Sequence, residues 1–269
     1  MGKARKRFGQ HFLEAAWVNK LAAAVGATKD DAILEIGPGR GAITRPLADH
    51  AGRLLAIEVD RDLAADLEAA ALPGVTVVTA DFLSVDLLPI VTDWLGGAPG
   101  PANQFRVVGN LPYNISSPIL FTLLDFAART NGIRDAMLML QKEVADRLVA
   151  KVGTGDYGVL TILTALNADV TRVLSLPPGA FRPQPKVHSA VVRLTFRPPT
   201  VEIADQAVFV RMVRTMFTQR RKTAGNALKP FGAERGVDAA QALAAAAIDP
   251  TRRPETLQLA EMAALAARF

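Results

Sequence analysis

The feature that most constrains the fold of this chain is a glycine-rich turn that follows an apolar segment of strand length. The apolar segment covers 32–36, and glycine then occupies alternate positions at Gly37, Gly39 and Gly41 before a helical pattern begins. Glycine lets the backbone turn tightly and approach a ligand closely. A strand, a glycine turn and a helix in this order are typical of an α/β domain, in which ligands bind at the carboxyl ends of the strands.

The spacing of these glycines differs from the G-x-G-x-x-G pattern of dinucleotide-binding turns. A pyrophosphate is held by helix N-terminal amides that point at an anion, whereas the compact 37–41 turn suits a ligand without phosphates. Glu35 is a charged residue within the otherwise apolar segment. It indicates a polar role close to the turn.

Two further strand-like segments end in acidic residues. The second strand ends at Glu58 and the third at Asp81, which is followed by Phe82. A carboxylate that closes the second strand can accept hydrogen bonds from both hydroxyls of a ribose. Asp60 is instead expected to cap the next helix. The Asp81 carboxylate is placed to accept from an exocyclic amine, with Phe82 against the ring.

The fourth strand-like segment, 105–109, leads into the tetrad Asn110–Tyr113. The tetrad combines an amide, a proline that stiffens the turn and an aromatic ring, which together can hold and stack a flat base that carries an amine. Taken alone it fits a structural turn with a packing tyrosine equally well. Because the glycine turn, Glu58, Asp81 and the tetrad follow four successive strands, we expect them to meet at one edge of the sheet. We therefore interpret the tetrad as a site for an adenine that accepts a methyl group.

The composition excludes several other classes of protein. Among the 269 residues there is no cysteine, and the three histidines lie in separate segments, so we expect no disulfide framework, no cysteine nucleophile and no metal site. The basic N-terminus leads to no apolar signal run, and no segment is long enough to span a membrane. We expect a soluble, cytoplasmic protein.

Positive charge is clustered along the chain, which has a formal net charge of +5. Basic residues gather at 3–7, at 220–222 and at 252–253. Any one such run is usually a solvated surface, but three of them in a basic chain favour a nucleic-acid partner.

The N-terminal segment and the part of the chain after residue 170 carry less regular patterns. The segment 7–13 precedes a helical pattern and is either a frayed arm or a lid over the site. Strands over 170–176 and 189–196 are joined by a proline-stiffened connection that presents Phe181 and two cations, as one half of a base-stacking slot would. Beyond Pro198 the pattern is helical, which predicts domains over 1–198 and 199–269.

Six segments, taken in order, resemble the ribosomal RNA adenine N6-dimethyltransferases. They are 9–13, 35–41, 58–60, 110–116, 181–187 and 219–223. The match is nearest to the small-subunit branch, to which 219–223 and 253–255 point. The large-subunit branch, which confers macrolide resistance, shares the core and is the nearest alternative.

The resemblance implies a Rossmann-like class I S-adenosylmethionine-dependent methyltransferase domain with a small C-terminal all-helical domain. It implies a monomer that uses S-adenosylmethionine to dimethylate two adjacent adenines near the 3′ end of small-subunit ribosomal RNA, within a 30S precursor particle. A non-catalytic assembly factor on the same fold stays open. A DNA adenine or small-molecule methyltransferase does not account for the helical tail.

The resemblance also assigns site residues. The expected cofactor contacts are His11, Leu13, Gly37, Gly39, Glu58, Asp81, Phe82 and Asn110. The expected catalytic and base-holding residues are Asn110, Leu111, Pro112, Tyr113 and Phe181. Together with the charge clusters, the expected RNA contacts are Arg5, Lys6, Arg7, Arg182, Lys186, Arg220, Arg221 and Lys222. The family often has asparagine at the position of His11, so the Leu13 backbone is the firmer expectation.

Overall fold

The computed structural model describes residues 12–269, which divide into two compact units. The first unit holds the chain up to Ala145 and the segment Ala168–Arg197, and the second holds Asp146–Asn167 and Pro198–Phe269. The sequence predicts a single border at Pro198. The stretch Asp146–Asn167, however, belongs to the second unit, which is therefore assembled from two separate parts of the chain.

A seven-stranded sheet forms the centre of the first unit. The strands in the described residues are β1 (Phe12–Leu13), β2 (Ala32–Ile36), β3 (Arg53–Glu58), β4 (Val75–Thr79), β5 (Phe105–Asn110), β6 (Ile133–Gln141), β7 (Ala168–Leu176), β8 (Phe181–Arg182) and β9 (Ser189–Phe196). The order across the sheet is β4-β3-β2-β5-β6-β9-β7. The first five pair in parallel, and β9 lies antiparallel between β6 and β7.

Helices lie between these strands along the chain. They are α1 (Ala15–Val25), α2 (Thr44–Ala48), α3 (Arg61–Ala69), α4 (Leu87–Leu95) and α5 (Ser116–Thr130), and α6 (Lys142–Leu148) leads from the first unit to the second. Ile33 and Leu34 of β2 are both fully buried, because a parallel strand is covered on both faces. From β2 the chain builds outward to β4 and then returns to the other side of β2 as β5. This reversal is a topological switch point, where open α/β sheets bind ligands.

A second, two-stranded sheet fixes the start of the described chain. β1 pairs antiparallel with β8, with Phe12 opposite Arg182 and Leu13 opposite Phe181. The Glu14 N–H donates to the Ala180 carbonyl at 2.9 Å. Leu13 and Phe181 both join the hydrophobic core of the unit. The segment after residue 11 is therefore an ordered strand against 181–182 and not a frayed arm.

The second unit is helical, as the sequence predicts beyond Pro198. Its further helices are α7 (Val159–Ala165), α8 (Gln206–Thr218), α9 (Ala224–Arg235), α10 (Ala239–Ala245) and α11 (Leu259–Ala266). Phe209, Met212 and Met216 of α8 are fully buried at helical spacing. The Tyr157 hydroxyl donates to the Leu257 carbonyl at 2.9 Å. Over residues 12–269, we find no helix with the length and apolar character that a membrane crossing requires.

Candidate active site

A cavity of about 310 Å³ lies where β2, β3, β4 and β5 end. Its lining includes Phe12, Leu13, Gly37, Gly39, Arg40, Glu58, Val59, Asp81, Phe82, Leu83, Asn110, Leu111, Pro112, Tyr113 and Ile119. The glycine turn, the two acids and the tetrad therefore meet at one edge of the sheet, as the order of the strands predicts. The volume is within the range of small-molecule sites.

The glycine turn is open to the cavity at its start and closely packed at its end. Gly37 has φ +65°, and a Cβ there would meet no atom within 4 Å. Its N–H donates to the Ile57 carbonyl at 2.9 Å, which holds the turn against β3. At Gly41, a Cβ would lie 2.8 Å from Leu67 Cδ1. A ligand can therefore approach the backbone at Gly37, whereas Gly41 allows the turn to pack on α3.

The carboxylate of Glu58 is held rigidly by backbone groups. Oε2 accepts from the Gly39 N–H and Oε1 from the Asp60 N–H, both at 2.9 Å. Each carboxylate oxygen has a second lone pair, which leaves capacity for ligand hydroxyls. Asp60 caps α3 by accepting from the Asp62 N–H at 3.1 Å, as predicted. The acid that ends β3 and the acid that caps α3 thus have different structural surroundings.

Glu35 lies on β2 but does not line the cavity. It is 1% exposed, and its Oε2 finds no hydrogen-bond partner among residues 12–269. Burial raises the pKa of Glu35 to about 7; the Thr44 hydroxyl opposes this rise and the nearby Glu58 carboxylate adds to it. A carboxyl group with this pKa is partly protonated at neutral pH.

Asp81 begins a turn at the cavity rim. Its Oδ1 accepts from the Leu83 N–H at 3.0 Å and its Oδ2 from the Ser84 hydroxyl at 3.2 Å. The Asp81 side chain is exposed and the neighbouring Phe82 is buried. The turn therefore fixes the carboxylate beside an aromatic ring that also faces the cavity.

The tetrad is placed by the end of β5. Asn110 pairs with Met139 on β6, and the next residue, Leu111, donates its N–H to the Met139 carbonyl at 3.2 Å. The turn closes where the Ile115 N–H donates to the Pro112 carbonyl at 3.1 Å. These contacts fix the backbone that presents the Asn110 amide to the cavity.

Tyr113 has a partner that the sequence does not indicate. Its hydroxyl lies 2.6 Å from the hydroxyl of Ser189, at the start of β9. Burial raises the pKa of the Tyr113 phenol, and the hydrogen bond with Ser189 opposes that rise. The two residues are 76 positions apart, so local sequence patterns contain no signal for the pair.

The sequence predicts that Phe181 stacks on a base, but the structure places this ring in the core. It is fully buried, belongs to the hydrophobic core and does not line the cavity. The reason is the pairing of β8 with β1, which sets Phe181 opposite Leu13. Successive strand residues point to opposite faces, so the exposed position is the adjacent Arg182.

Arg40 also lines the cavity, although no sequence pattern indicates it. Its guanidinium carbon lies 4.4 Å from the centre of the Phe12 ring, which is a cation–π geometry. A Cβ at Gly39 would lie 3.6 Å from the same ring. Phe12 therefore packs against the glycine turn, beside the cavity that both residues line.

The predicted RNA contacts have different surroundings. Lys186, Arg221 and Lys222 are exposed. Arg182 forms an ion pair with Glu14 at 3.0 Å, and Arg220 donates to the Gly155 carbonyl at 2.7 Å, so both are partly engaged. The predicted residues that lie outside the described part of the chain are Arg5, Lys6, Arg7 and His11.

The parallel sheet, its switch point and the glycine turn beside a buried acid define the class I S-adenosylmethionine-dependent methyltransferase fold. Two solved structures share it. A dimethyladenosine transferase from Plasmodium falciparum superposes with a TM-score of 0.75 at 23% identity, over 95% of this chain and 96% of that one. The 23S rRNA methyltransferase ErmE superposes with a TM-score of 0.65 at 30% identity, over 96% of this chain and 98% of that one.

Sequence comparison defines the family. The model of the ribosomal RNA adenine dimethylases matches residues 1–265, and this chain belongs to that family. A Xanthomonas euvesicatoria protein named ribosomal RNA small subunit methyltransferase A is 45% identical over 98% of this chain and 95% of its own length. A Geobacter metallireducens protein of the same name is 44% identical over 98% of this chain and 94% of its own length.

Proposed function

We propose that this chain uses S-adenosylmethionine to dimethylate the N6 amino groups of two adjacent adenines near the 3′ end of small-subunit ribosomal RNA. The observation that carries the proposal is that Glu58 and the tetrad Asn110–Tyr113 line the same cavity. Relatives at 44% and 45% identity that are named small-subunit methyltransferases support the choice of substrate.

The polar and aromatic groups that line the cavity fit S-adenosylmethionine. The remaining lone pairs of Glu58 suit the ribose hydroxyls, and Asp81 with Phe82 suits the adenine ring and its amine. The open space at Gly37 lets a ligand lie against the backbone. Leu13, Gly39 and Asn110 complete the proposed contacts; His11 is a further candidate outside the described residues. The bound cofactor supplies an electrophilic methyl group.

The residues of the tetrad would hold the target base. The N6 nitrogen of adenine is a poor nucleophile because its lone pair is delocalised into the ring. Acceptance of its two N–H groups by the Asn110 side-chain oxygen and the Leu111 carbonyl would favour a pyramidal nitrogen with a free lone pair. Pro112 stiffens the turn and Tyr113 stacks on the base. Once methylated, the nitrogen would carry a positive charge and lose its N–H proton readily to solvent, so no strong general base is needed, and positioning would supply most of the acceleration.

The proposed target is a flipped adenine within an RNA–protein particle, and cationic side chains would hold the RNA backbone. The exposed Lys186, Arg221 and Lys222 are the strongest candidates, since their charges are presented to solvent. The remaining candidates are Arg5, Lys6, Arg7, Arg182 and Arg220. We expect a monomer that acts on a precursor of the small subunit, in the cytoplasm where ribosomes assemble.

A second candidate function is methylation of large-subunit RNA. It is favoured by the 30% identity and the TM-score of 0.65 to a structure described as a 23S rRNA methyltransferase. The higher identity to small-subunit enzymes makes it the weaker choice. A purely structural assembly role does not explain why Glu58, Asp81 and the tetrad share one cavity.

The experiment that tests the proposal is transfer of a labelled methyl group from S-adenosylmethionine to ribosomal particles that lack the modification. Small and large subunits are incubated separately with the protein, and the labelled nucleotides are mapped. Dimethylated adenines at two adjacent positions in small-subunit RNA support the proposal. Label confined to large subunits would establish the second candidate, and label on neither would refute both.

A further inference from the structure

The hydrogen bond between Tyr113 and Ser189 joins a cavity residue to the central sheet. The Tyr113 ring lines the cavity, and its hydroxyl lies 2.6 Å from Ser189 Oγ. Ser189 itself is 1% exposed and does not line the cavity. A ligand in the cavity would therefore meet the tyrosine ring, while the serine acts on the ring from inside the protein.

Ser189 is held by neighbouring strands on both sides. Its backbone pairs with Gln141 on β6 and with Leu176 on β7, so neighbouring strands flank it on both sides. The preceding carbonyl, of His188, accepts from the Lys142 N–H at 2.9 Å. Because β6 and β7 hold the backbone of Ser189 on both sides, its buried hydroxyl has a fixed position.

Tyr113 belongs to a different kind of segment. It lies in the turn that joins β5 to α5, outside both elements. A tyrosine ring in such a turn can rotate about two side-chain bonds, and base stacking depends on the plane of the ring. Burial raises the pKa of Tyr113, so the phenol keeps its proton at neutral pH and can donate or accept.

We propose that Ser189 is a positioning residue for the target base, which fixes the plane of the Tyr113 ring on which the adenine stacks. The inference rests on the proposed function, because it requires that the ring receives a base. Ser189 touches neither the base nor the methyl donor in this proposal. Its effect on the reaction passes through the tyrosine hydroxyl.

The kinetic test compares Ser189→Ala, Tyr113→Phe and the double variant in methyl transfer to unmethylated small subunits. Each single variant should lower kcat by roughly 10- to 100-fold, since a misplaced base loses its alignment with the methyl donor. The double variant should be no slower than the slower single variant, because both substitutions remove the same contact. Ser175→Ala, an exposed serine on the neighbouring β7, is the matched control and should keep wild-type turnover.

A spectroscopic measurement tests the link without methyl transfer. The chain has two tyrosines, so protein labelled at tyrosine Cζ gives two resonances, and Tyr113→Phe assigns one of them. Ser189→Ala should move the Tyr113 signal and leave the Tyr157 signal and the affinity for S-adenosylmethionine unchanged. A merely structural serine would instead lower the melting temperature and weaken cofactor binding along with turnover.

The outcomes separate this inference from the proposed function. No transfer by the wild-type protein refutes the proposed function. Wild-type transfer with unchanged turnover in Ser189→Ala, or effects that multiply in the double variant, overturns only the role of Ser189. If Ser189→Ala does not fold, Tyr113→Phe alone decides, because it deletes the same hydrogen bond: slowed transfer supports the inference and wild-type turnover overturns it.

Discussion

The Glu58 carboxylate accepts a hydrogen bond of 2.9 Å from the N–H of Gly39, so the acid at the end of β3 holds the glycine turn that follows β2. The same carboxylate accepts a second bond of 2.9 Å from the Asp60 N–H through its other oxygen. The side chain therefore shapes the cavity and lines it. Both roles depend on the two carboxylate oxygens of Glu58, each of which accepts a hydrogen bond.

Replacing Glu58 with glutamine should weaken cofactor binding more than the loss of charge alone suggests. The amide has one acceptor oxygen, and its NH₂ group would face one of the two backbone N–H donors. We expect Glu58→Gln to raise the Kd for S-adenosylmethionine by roughly 10- to 100-fold, since hydrogen bonds to charged groups contribute about 1.5–3 kcal/mol. Calorimetric titration measures the change. Glu68→Gln, at an exposed position on α3, is the control, and equal affinities in the two variants would disprove the role of Glu58.

The buried Glu35 should make the first unit less stable as pH rises. Its pKa in the folded chain, about 7, is above the ordinary value of 4.5, so the folded state holds the proton more tightly than the unfolded chain. Stability from this group is present below pH 4.5 and is lost as pH rises through about 7. Glu35→Gln should remove this dependence, a difference of roughly 3 kcal/mol between the two ends of the range.

Urea unfolding followed by tryptophan fluorescence measures the stability of the first unit, which contains Glu35. Trp17 and Trp94 are the two tryptophans of the chain, and both lie in the first unit. Parallel pH profiles for the wild type and Glu35→Gln would show that another group is responsible.

Arg106 should be essential for stability and dispensable for chemistry. It lies near the start of β5, at the strand end opposite Asn110, and bonds Asp135 at 2.8 Å and Asp31 at 3.1 Å. Arg106→Met would leave two buried carboxylates without this partner, so we expect a loss of about 3–5 kcal/mol in the free energy of unfolding. Methyl transfer at low temperature should persist.

An exposed ion pair provides the control for this change. Arg129 pairs with Asp125 on the surface of α5, and Arg129→Met should cost less than about 1 kcal/mol. Equal losses in chemical denaturation of the two variants would show that the buried cluster contributes nothing beyond a surface pair.

The exposed cations of the second unit should contribute to the salt dependence of RNA binding. Arg221 and Lys222 are exposed, whereas Arg220 is engaged with the Gly155 carbonyl, so the double variant Arg221→Gln/Lys222→Gln removes charge with little structural cost. We expect weaker binding and a logarithmic salt slope that is smaller by about 1–2. Filter binding over a range of salt concentrations, with Arg129→Gln as a surface control, measures it. An unchanged slope would locate the RNA contacts elsewhere.

The part of the site that could be predicted is the part determined by local patterns. The apolar strands, the glycine turn after β2 and the polar residues at or just after the ends of β3, β4 and β5 are each visible in short stretches of sequence, and parallel strands bring their carboxyl ends to one edge. The α/β fold and the helical character beyond Pro198 follow from the same patterns.

The remainder depends on contacts between distant segments. Phe181 has an aromatic ring of the kind that stacks on bases, but its pairing with Leu13 places it in the core. The bond between Tyr113 and Ser189 spans 76 positions, and Asp146–Asn167 belongs to the second unit although first-unit residues flank it. None of these contacts has a local signature, so periodicity and propensity cannot indicate them.

The most direct measurement compares the wild type with Asn110→Ala in two assays on the same preparations: titration with S-adenosylmethionine and single-turnover methyl transfer to unmethylated small subunits. If the Asn110 amide holds the target amine, transfer should fall by about 100-fold or more, as when an oriented transition-state contact is removed. Cofactor affinity should fall far less, because Glu58 and Asp81 still hold S-adenosylmethionine. Wild-type transfer by Asn110→Ala would contradict the assignment of the tetrad as the target-base site.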